Sequence, residues 1–249
     1  KESRWRSIIQ LEVPVEKIPY IRTIEGRKFK DGKWEFPDSA IKKLQQYGLI
    51  DSDIKVEEKE IVQFELSPHL REYQKKIVNT ALNEECYGIF ADTGTGKTIM
   101  GLELAKHYKK TLILCPLSVI ETAWIDDCNS FYPELSIVNC WGNSKKERIE
   151  SLNTKADVYV MNYESFKILK NDITKIDFDC MIIDESQVMK NMTSQITNEL
   201  LQMIDVIPHR FVLSGTPTPN HNSEIFPQMK FVEPEVFGNN FYGFQARYF

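Results

Sequence analysis

The chain has 249 residues, of which 42% are hydrophobic and 27% charged, and a formal net charge of −5. This is enough apolar material for one large or two modest domains. No run of about 18 apolar residues occurs, so nothing reads as a membrane span, and the negative total argues against a uniformly basic surface.

Charge is unevenly placed. Residues 1–50 carry a net of +4 and the remainder a net of −9, which hints at a nucleic-acid contact at the front and equally fits ordinary surface scatter. The five cysteines (Cys86, Cys115, Cys128, Cys140, Cys180) show no CxxC or His/Cys spacing. They suit reduced core thiols in a cytosolic or nuclear, not secreted, setting. Lys1 in first place reads as a fragment or a processed start.

A small α+β unit is expected over residues 1–50. Apolar residues alternate from Ile9 to Val15, a strand pattern. Asp31-Gly32 between Lys28–Lys30 and Trp34–Phe36 marks a tight hairpin, because Gly supplies a positive φ. Asp38-Ser39 caps a helix that Gly48 ends. Residues 51–62, acidic and poor in large apolar groups, read as a linker.

Residues 63–249 change rhythm. A helix is expected from Leu70 to Leu82. Strands are expected at 87–90, 111–115, 136–140, 157–161, 180–183 and 210–213, with helices between most of them. Such alternation builds an α/β domain on a mostly parallel sheet covered on both faces, with functional loops at the C-terminal strand ends.

Three loops at those ends carry chemistry. Ala91-Asp92-Thr93-Gly94-Thr95-Gly96-Lys97-Thr98 follows a strand and opens a helix. Thr93, Gly94, Thr95 and Gly96 would cradle phosphates with backbone N–H groups, Lys97 would reach the β- and γ-phosphates, and Thr98 would hold Mg²⁺. Four apolar residues then present Asp184 and Glu185 at a strand tip. Asp184 would share the Mg²⁺, and Glu185 would deprotonate the attacking water. Ser214-Gly215-Thr216-Pro217 ends a third strand with hydroxyls able to exchange partners cheaply, which suits Ser214 and Thr216 to couple nucleotide state to motion.

In this order and spacing, the three segments resemble motifs I, II and III of superfamily 2 helicases. Finer details resemble the Swi/Snf-type DNA translocases over roughly residues 66–235. Leu70-Arg71-Glu72-Tyr73-Gln74 is similar to their Q motif, which implies that Arg71 and Gln74 face the adenine. Leu114-Cys115-Pro116-Leu117-Ser118-Val119 followed by Trp124 resembles motif Ia, and Val158 to Glu164 resembles motif Ib. Met189-Lys190-Asn191 and Asn220 are also Swi/Snf-like. By this resemblance the fold is a RecA-like lobe, the cofactors are ATP and Mg²⁺, and the partner is duplex or forked DNA, gripped by Pro116, Ser118, Asn162 and Tyr163. Gln187 stands where many relatives carry His and would belong to the catalytic set. The N-terminal unit resembles the HARP-type module that precedes annealing helicases. There Arg27, Lys28 and Lys30 would meet phosphates, while Trp34 and Phe36 read first as core. The second RecA-like lobe that such motors need has no room after Ser214–Pro217, so a longer full-length chain is expected. A restriction or phage-defence motor, an RNA helicase and a DNA-junction module on a degenerate ATPase remain the other readings.

Overall fold

A computed structural model describes residues 8–21, 24, 28–30, 33–37, 40–51, 61–234, 236–238 and 240–249. The chain divides into two compact units, one comprising Lys1–Ile61 with Pro234–Phe249, the other Val62–Glu233.

In the first unit, strands β1 (Ile8–Leu11), β2 (Lys28–Lys30) and β3 (Lys33–Pro37) form an antiparallel sheet in the order β1-β3-β2. The register sets Ile9 opposite Phe36 and Phe29 opposite Trp34. β1 stops at Leu11, short of the expected Val15, because Pro14 has no N–H for a ladder and instead starts a 3₁₀ turn, Val15–Lys17. Helices α1 (Ile18–Ile21) and α2 (Ile41–Gln46) follow. Ile21, Ile24, Phe36, Ala40 and Leu44 make the small core, with Trp34 half-buried against it. Gly48, at φ +63°, ends α2, and the Leu49 N–H returns to the Leu44 carbonyl. The Asp31-Gly32 turn, the Asp38-Ser39 cap and residues 52–60 of the expected linker lie outside the described residues.

The second unit is built on six parallel strands: β4 (Cys86–Phe90), β5 (Thr111–Cys115), β6 (Ile137–Asn139), β7 (Val158–Asn162), β8 (Cys180–Asp184) and β9 (His209–Ser214). Their spatial order is β4-β9-β8-β5-β7-β6. The helices are α3 (Glu72–Glu84), α4 (Lys97–Lys106), α5 (Asp126–Phe131), α6 (Lys145–Asn153), α7 (Tyr163–Ile173), α8 (Gln195–Leu201) and α9 (Ile225–Val232). α10 (Phe241–Tyr248) belongs with the first unit. No helix among the described residues is long and apolar enough to cross a membrane.

Alternation along the strands makes two cores from one sheet. Ile113, Val160, Ile182 and Leu213 point to the face covered by Val78 and Leu82 of α3, Met100 and Leu104 of α4, and Trp124 and Tyr132. Their neighbours Leu112, Leu114, Met161, Ile183 and Val212 point to the other face, against Phe166 and Leu169 of α7, Leu200 of α8 and Phe231 of α9. Each such buried aliphatic or aromatic side chain contributes about 1.5–3 kcal/mol of burial free energy.

Side chains also stand in for backbone pairing. Asn83 Oδ1 accepts from Val62 N, and its amide donates to Val62 O; Asn79 Oδ1 accepts from Phe64 N. Ser67 N donates to Glu103 Oε1. These bonds strap residues 62–67 along α3 and α4, immediately ahead of the Arg71–Gln74 segment. Glu103 is fully buried. Burial alone would raise its carboxyl, but hydrogen bonding from His107, Ser67 and Tyr132 outweighs it and holds the group at about 2.

Candidate active site

The loops with chemical promise leave the C-terminal ends of β4, β8 and β9, which are neighbours in the order β4-β9-β8. The parallel order therefore gathers onto one edge three segments that together span more than a hundred residues of chain.

The phosphate-binding candidate leaves β4. Gly94 and Gly96 have φ of +78° and +76°, which side-chain-bearing residues rarely adopt. A Cβ at Gly96 would fall 2.5 Å from Gln74 Nε2. Lys97 Nζ donates to the carbonyls of Ala91 (2.8 Å) and Asp92 (3.1 Å). The Thr95 hydroxyl donates to Asp92 O. Two donors from α3 hold the loop from its far side: Gln74 Nε2 and the Tyr73 hydroxyl both reach Thr95 O, at 3.0 and 2.9 Å. Gln74 Oε1 accepts from Arg71 N. Both ends of the Gln74 amide are thus engaged, one on the loop and the other on the N-terminus of α3. Tyr73 was not singled out from sequence, since an aromatic in the first turn of a helix is an ordinary packing residue.

The acidic pair ends β8. Asp184 is buried and Glu185 half-buried, and the backbone reverses between them because Glu185 sits at φ +53°. Trp124 Nε1 donates to Asp184 Oδ2 at 3.1 Å, and Glu185 N donates to Asp184 Oδ1 at 3.0 Å. The Tyr163 hydroxyl donates to the Asp184 carbonyl. Burial pushes the Asp184 carboxyl up to about 6; the Glu185 charge adds to this, while the Trp124 and Glu185 N–H bonds and the nearby Lys97 ammonium oppose it.

Gln187 links β8 to β9. Its amide N donates to Glu185 Oε2 at 2.7 Å, and its amide O accepts from the Ser214 hydroxyl at 2.7 Å. Ser214 Oγ in turn accepts from Thr216 N at 3.0 Å. Ala91 N donates to Ser214 O, which joins the phosphate loop to the same strand end. Beneath this relay, fully buried Gln228 of α9 accepts from Ser186 Oγ and donates to Pro217 O. Gln228 is a helix-borne amide with no signature in the sequence.

The residues present fit a metal–nucleotide complex. The two positive-φ glycines open the cradle, and Gly215 of the third loop lies beside the lysine, where a Cβ would make an ordinary contact at 3.4 Å from Lys97 Nζ. The Thr98 hydroxyl and the Asp184 carboxylate are hard oxygen donors, as Mg²⁺ requires. Among the described residues, no cluster of three His, Cys, Asp or Glu side chains could cage a metal without phosphate oxygens.

The other named residues sit on the loops after β5 and β7. Pro116 precedes the 3₁₀ turn Leu117–Val119, on which Ser118 is exposed. Asn162 caps α7 by accepting from Ser165 N. Arg27 lies outside the described residues, and Lys28 and Lys30 are described as β2 backbone only.

Residues 73–248 match the SNF2-related domain family. A Caenorhabditis elegans protein, the SWI/SNF-related matrix-associated actin-dependent regulator of chromatin subfamily A-like protein 1 homolog, is 33% identical over 181 residues, covering 71% of this chain and 26% of its own length. The Saccharomyces cerevisiae chromatin-remodeling ATPase INO80 is 27% identical over 193 residues, covering 69% of this chain and 13% of its own. The chain thus spans about a quarter or less of these two relatives. The Sulfolobus solfataricus SWI2/SNF2 ATPase core in complex with dsDNA superposes with a TM-score of 0.60 at 22% identity, over 76% of this chain and 40% of that one. The parallel sheet, the phosphate loop and the match over residues 73–248 agree: the chain belongs to the SNF2-related family and carries its helicase-like ATPase fold.

Proposed function

We propose that this chain is the ATP-binding lobe of a double-stranded-DNA translocase, in which hydrolysis drives movement on, or reannealing of, duplex DNA. The observation that carries the reading is the unbroken relay Glu185–Gln187–Ser214–Thr216 beside the phosphate loop. A nucleotide-binding lobe without mechanical output has no need to wire its base to a neighbouring strand end.

In this reading Lys97 turns from the Ala91 and Asp92 carbonyls to the β- and γ-phosphates of ATP, and Gln74 and Arg71 lie toward the adenine. Thr98 and Asp184 hold Mg²⁺, which would neutralise charge developing on the phosphates. Glu185, oriented by the Gln187 amide, takes a proton from the water that attacks the γ-phosphorus as the bond to the β-phosphate oxygen breaks. Ser214 and Thr216 pass the change onward. Pro116, Ser118, Asn162 and Tyr163 border the DNA backbone without reading sequence. The unit at residues 1–50 serves as the accessory DNA-recognition module, 51–62 as linker and 63–249 as the lobe, although residues 234–249 group with the first compact unit. A second RecA-like lobe closes the cleft, in a cytoplasmic or nuclear protein. The Sulfolobus core of the same fold is seen with dsDNA.

The test is ATPase assay of the full-length protein with duplex, forked and single-stranded DNA and with RNA. Duplex or forked DNA should stimulate turnover at least tenfold, and Glu185→Gln should abolish turnover while retaining ATP. Equal stimulation by RNA, or none by any nucleic acid, would overturn the translocase reading.

A further inference from the structure

Trp124 is the largest fully buried side chain among the described residues. A core tryptophan normally needs only apolar surroundings and one partner for its N–H. This one is enclosed in a specific way. A Cβ on Gly101, in the middle of the phosphate-loop helix α4, would fall 2.7 Å from Trp124 Cη2. The helix therefore presses on the indole where only glycine fits. The opposite edge of the ring donates to Asp184 Oδ2.

The backbone that carries it is equally particular. Ile120–Ile125 is one turn of π-helix, a rare geometry that recurs at functional sites. It directly follows the 3₁₀ turn Leu117–Val119 at the exit of β5. Thr122 Oγ1 donates to Ser118 O, so the exposed loop and the π-turn are joined by a side-chain bond as well as by the chain. Asp184 itself is held at two levels. Trp124 takes the carboxylate, and Tyr163, from the exit of β7, takes the main-chain carbonyl.

We propose that Trp124 is a positioning residue for the metal site: wedged between Gly101 and the Asp184 carboxylate, its indole N–H fixes the orientation in which Asp184 would hold Mg²⁺ and ties that orientation to the loop leaving β5. This rests on the ATP-hydrolysing reading above. It adds a second route from the β5 loop to the nucleotide, separate from the Gln187–Ser214 relay. A ring that merely filled the core would need neither the glycine beneath it nor a carboxylate as its acceptor.

The experiment is a Mg²⁺ titration of fluorescent-ADP binding, using the full-length protein and Trp124→Phe, which keeps an aromatic ring and removes the N–H. Outer-sphere partners of metal ligands set affinity by about 10–100-fold. Half-saturating Mg²⁺ should rise about tenfold in Trp124→Phe, while affinity for the analogue without Mg²⁺ stays unchanged. Gly101→Ala, which pushes the indole from behind, should raise the Mg²⁺ requirement in the same way. Mg²⁺ half-saturation unchanged in both variants, or an equal loss of Mg²⁺-free binding, would overturn the assignment. Should Trp124→Phe fail to fold, the wild-type protein still decides. One slowly exchanging indole N–H resonance should move when Mg²⁺ is added to the ADP complex, and it should also be displaced in Asp184→Asn; a resonance indifferent to both would overturn it. The titration needs only nucleotide binding, so its failure is distinct from failure of DNA to stimulate turnover.

Discussion

The relay predicts an unusual penalty for Gln187→Glu, a change nearly neutral in volume. The glutamine donates to Glu185 and accepts from Ser214, each at 2.7 Å. Glutamate keeps the acceptor for Ser214 but replaces the donor with a second carboxylate facing Glu185. Loss of a hydrogen bond to a charged group costs about 1.5–3 kcal/mol. Repulsion between two unit charges about 4 Å apart adds up to about 4 kcal/mol at an effective dielectric of about 20. Both residues are half-buried and can swing apart, which discounts the sum, and we expect a net loss of about 2–3 kcal/mol at pH 8. In a domain of this size that lowers Tm by roughly 5–10 °C. Gln187→Ala removes both bonds without adding charge and should fall in between. Adding a proton to the carboxylate pair removes the repulsion, so the deficit of Gln187→Glu relative to Gln187→Ala should shrink as pH falls from 8 to 5. DNA-stimulated turnover should fall roughly a hundredfold in both variants, the scale of a disoriented general base. Thermal melts at three pH values with parallel ATPase assays decide the matter. A Gln187→Glu protein as stable as Gln187→Ala at pH 8, or either variant turning over at the wild-type rate, would refute the relay.

Three further outcomes follow from the same geometry. Gly96→Ala places a Cβ 2.5 Å from Gln74 Nε2 at a φ of +76°, whereas Gly94→Ala meets nothing within 4 Å. Calorimetric ADP titration should therefore show a loss of about tenfold or more for the former, and a smaller one for the latter, whose cost is strain alone at about 1–2 kcal/mol. Arg210 is fully buried, and its guanidinium donates to the carbonyls of Phe231, Val232, Ile207 and Pro208. Arg210→Met orphans them at about 1 kcal/mol or more each and should lower Tm by roughly 10 °C or more, with Arg210→Lys rescuing little because one nitrogen cannot span four acceptors. Burial raises the Asp184 carboxyl to about 6, so the carboxylate proposed to hold Mg²⁺ is favoured above that pH and lost below it. Half-saturating Mg²⁺ for fluorescent-ADP binding should be flat above pH 7 and rise about tenfold per unit below pH 6; a flat profile down to pH 5 would contradict the shift.

The parallel sheet was legible because each strand of the larger unit is a short apolar run stopped by turn chemistry. The expected 180–183 and 210–213 are observed as Cys180–Asp184 and His209–Ser214, each longer by polar residues that complete the ladder. Apolar character cannot report such residues, since Asp184 and Ser214 pair like any backbone. The spatial order β4-β9-β8 was not legible, because nothing local in β4 states that it will pair with a strand 120 residues later. Arg210 illustrates a different loss. A charge at a strand entry reads as solvated, and only tertiary structure brings it the carbonyls that end α9. Asn79 and Asn83 read as weak helix formers, and their value lies in bonds to a segment that has no secondary structure of its own. The turn from β4 into α4 was legible because its glycines and the residues they join are consecutive in the chain.

The left-handed turn at Glu185 explains how two adjacent acids serve different neighbours. A regular strand would send Asp184 and Glu185 to opposite faces of the sheet, one of them into a core. A φ of +53° on a non-glycine residue costs about 1–2 kcal/mol and is kept only where surrounding bonds over-determine it. Here they do. Glu185 N closes onto its neighbour's carboxylate, Ser186 anchors on Gln228, and Gln187 reaches both Glu185 and Ser214. The reversal leaves Asp184 facing Trp124 and the β5 exit, and Glu185 facing Gln187 and the β9 exit. Each acid is thereby wired to a different loop through a single side chain. Under the translocase reading proposed above, two separable inputs at one strand tip would let metal capture by Asp184 and water activation by Glu185 respond independently to the DNA-facing loops.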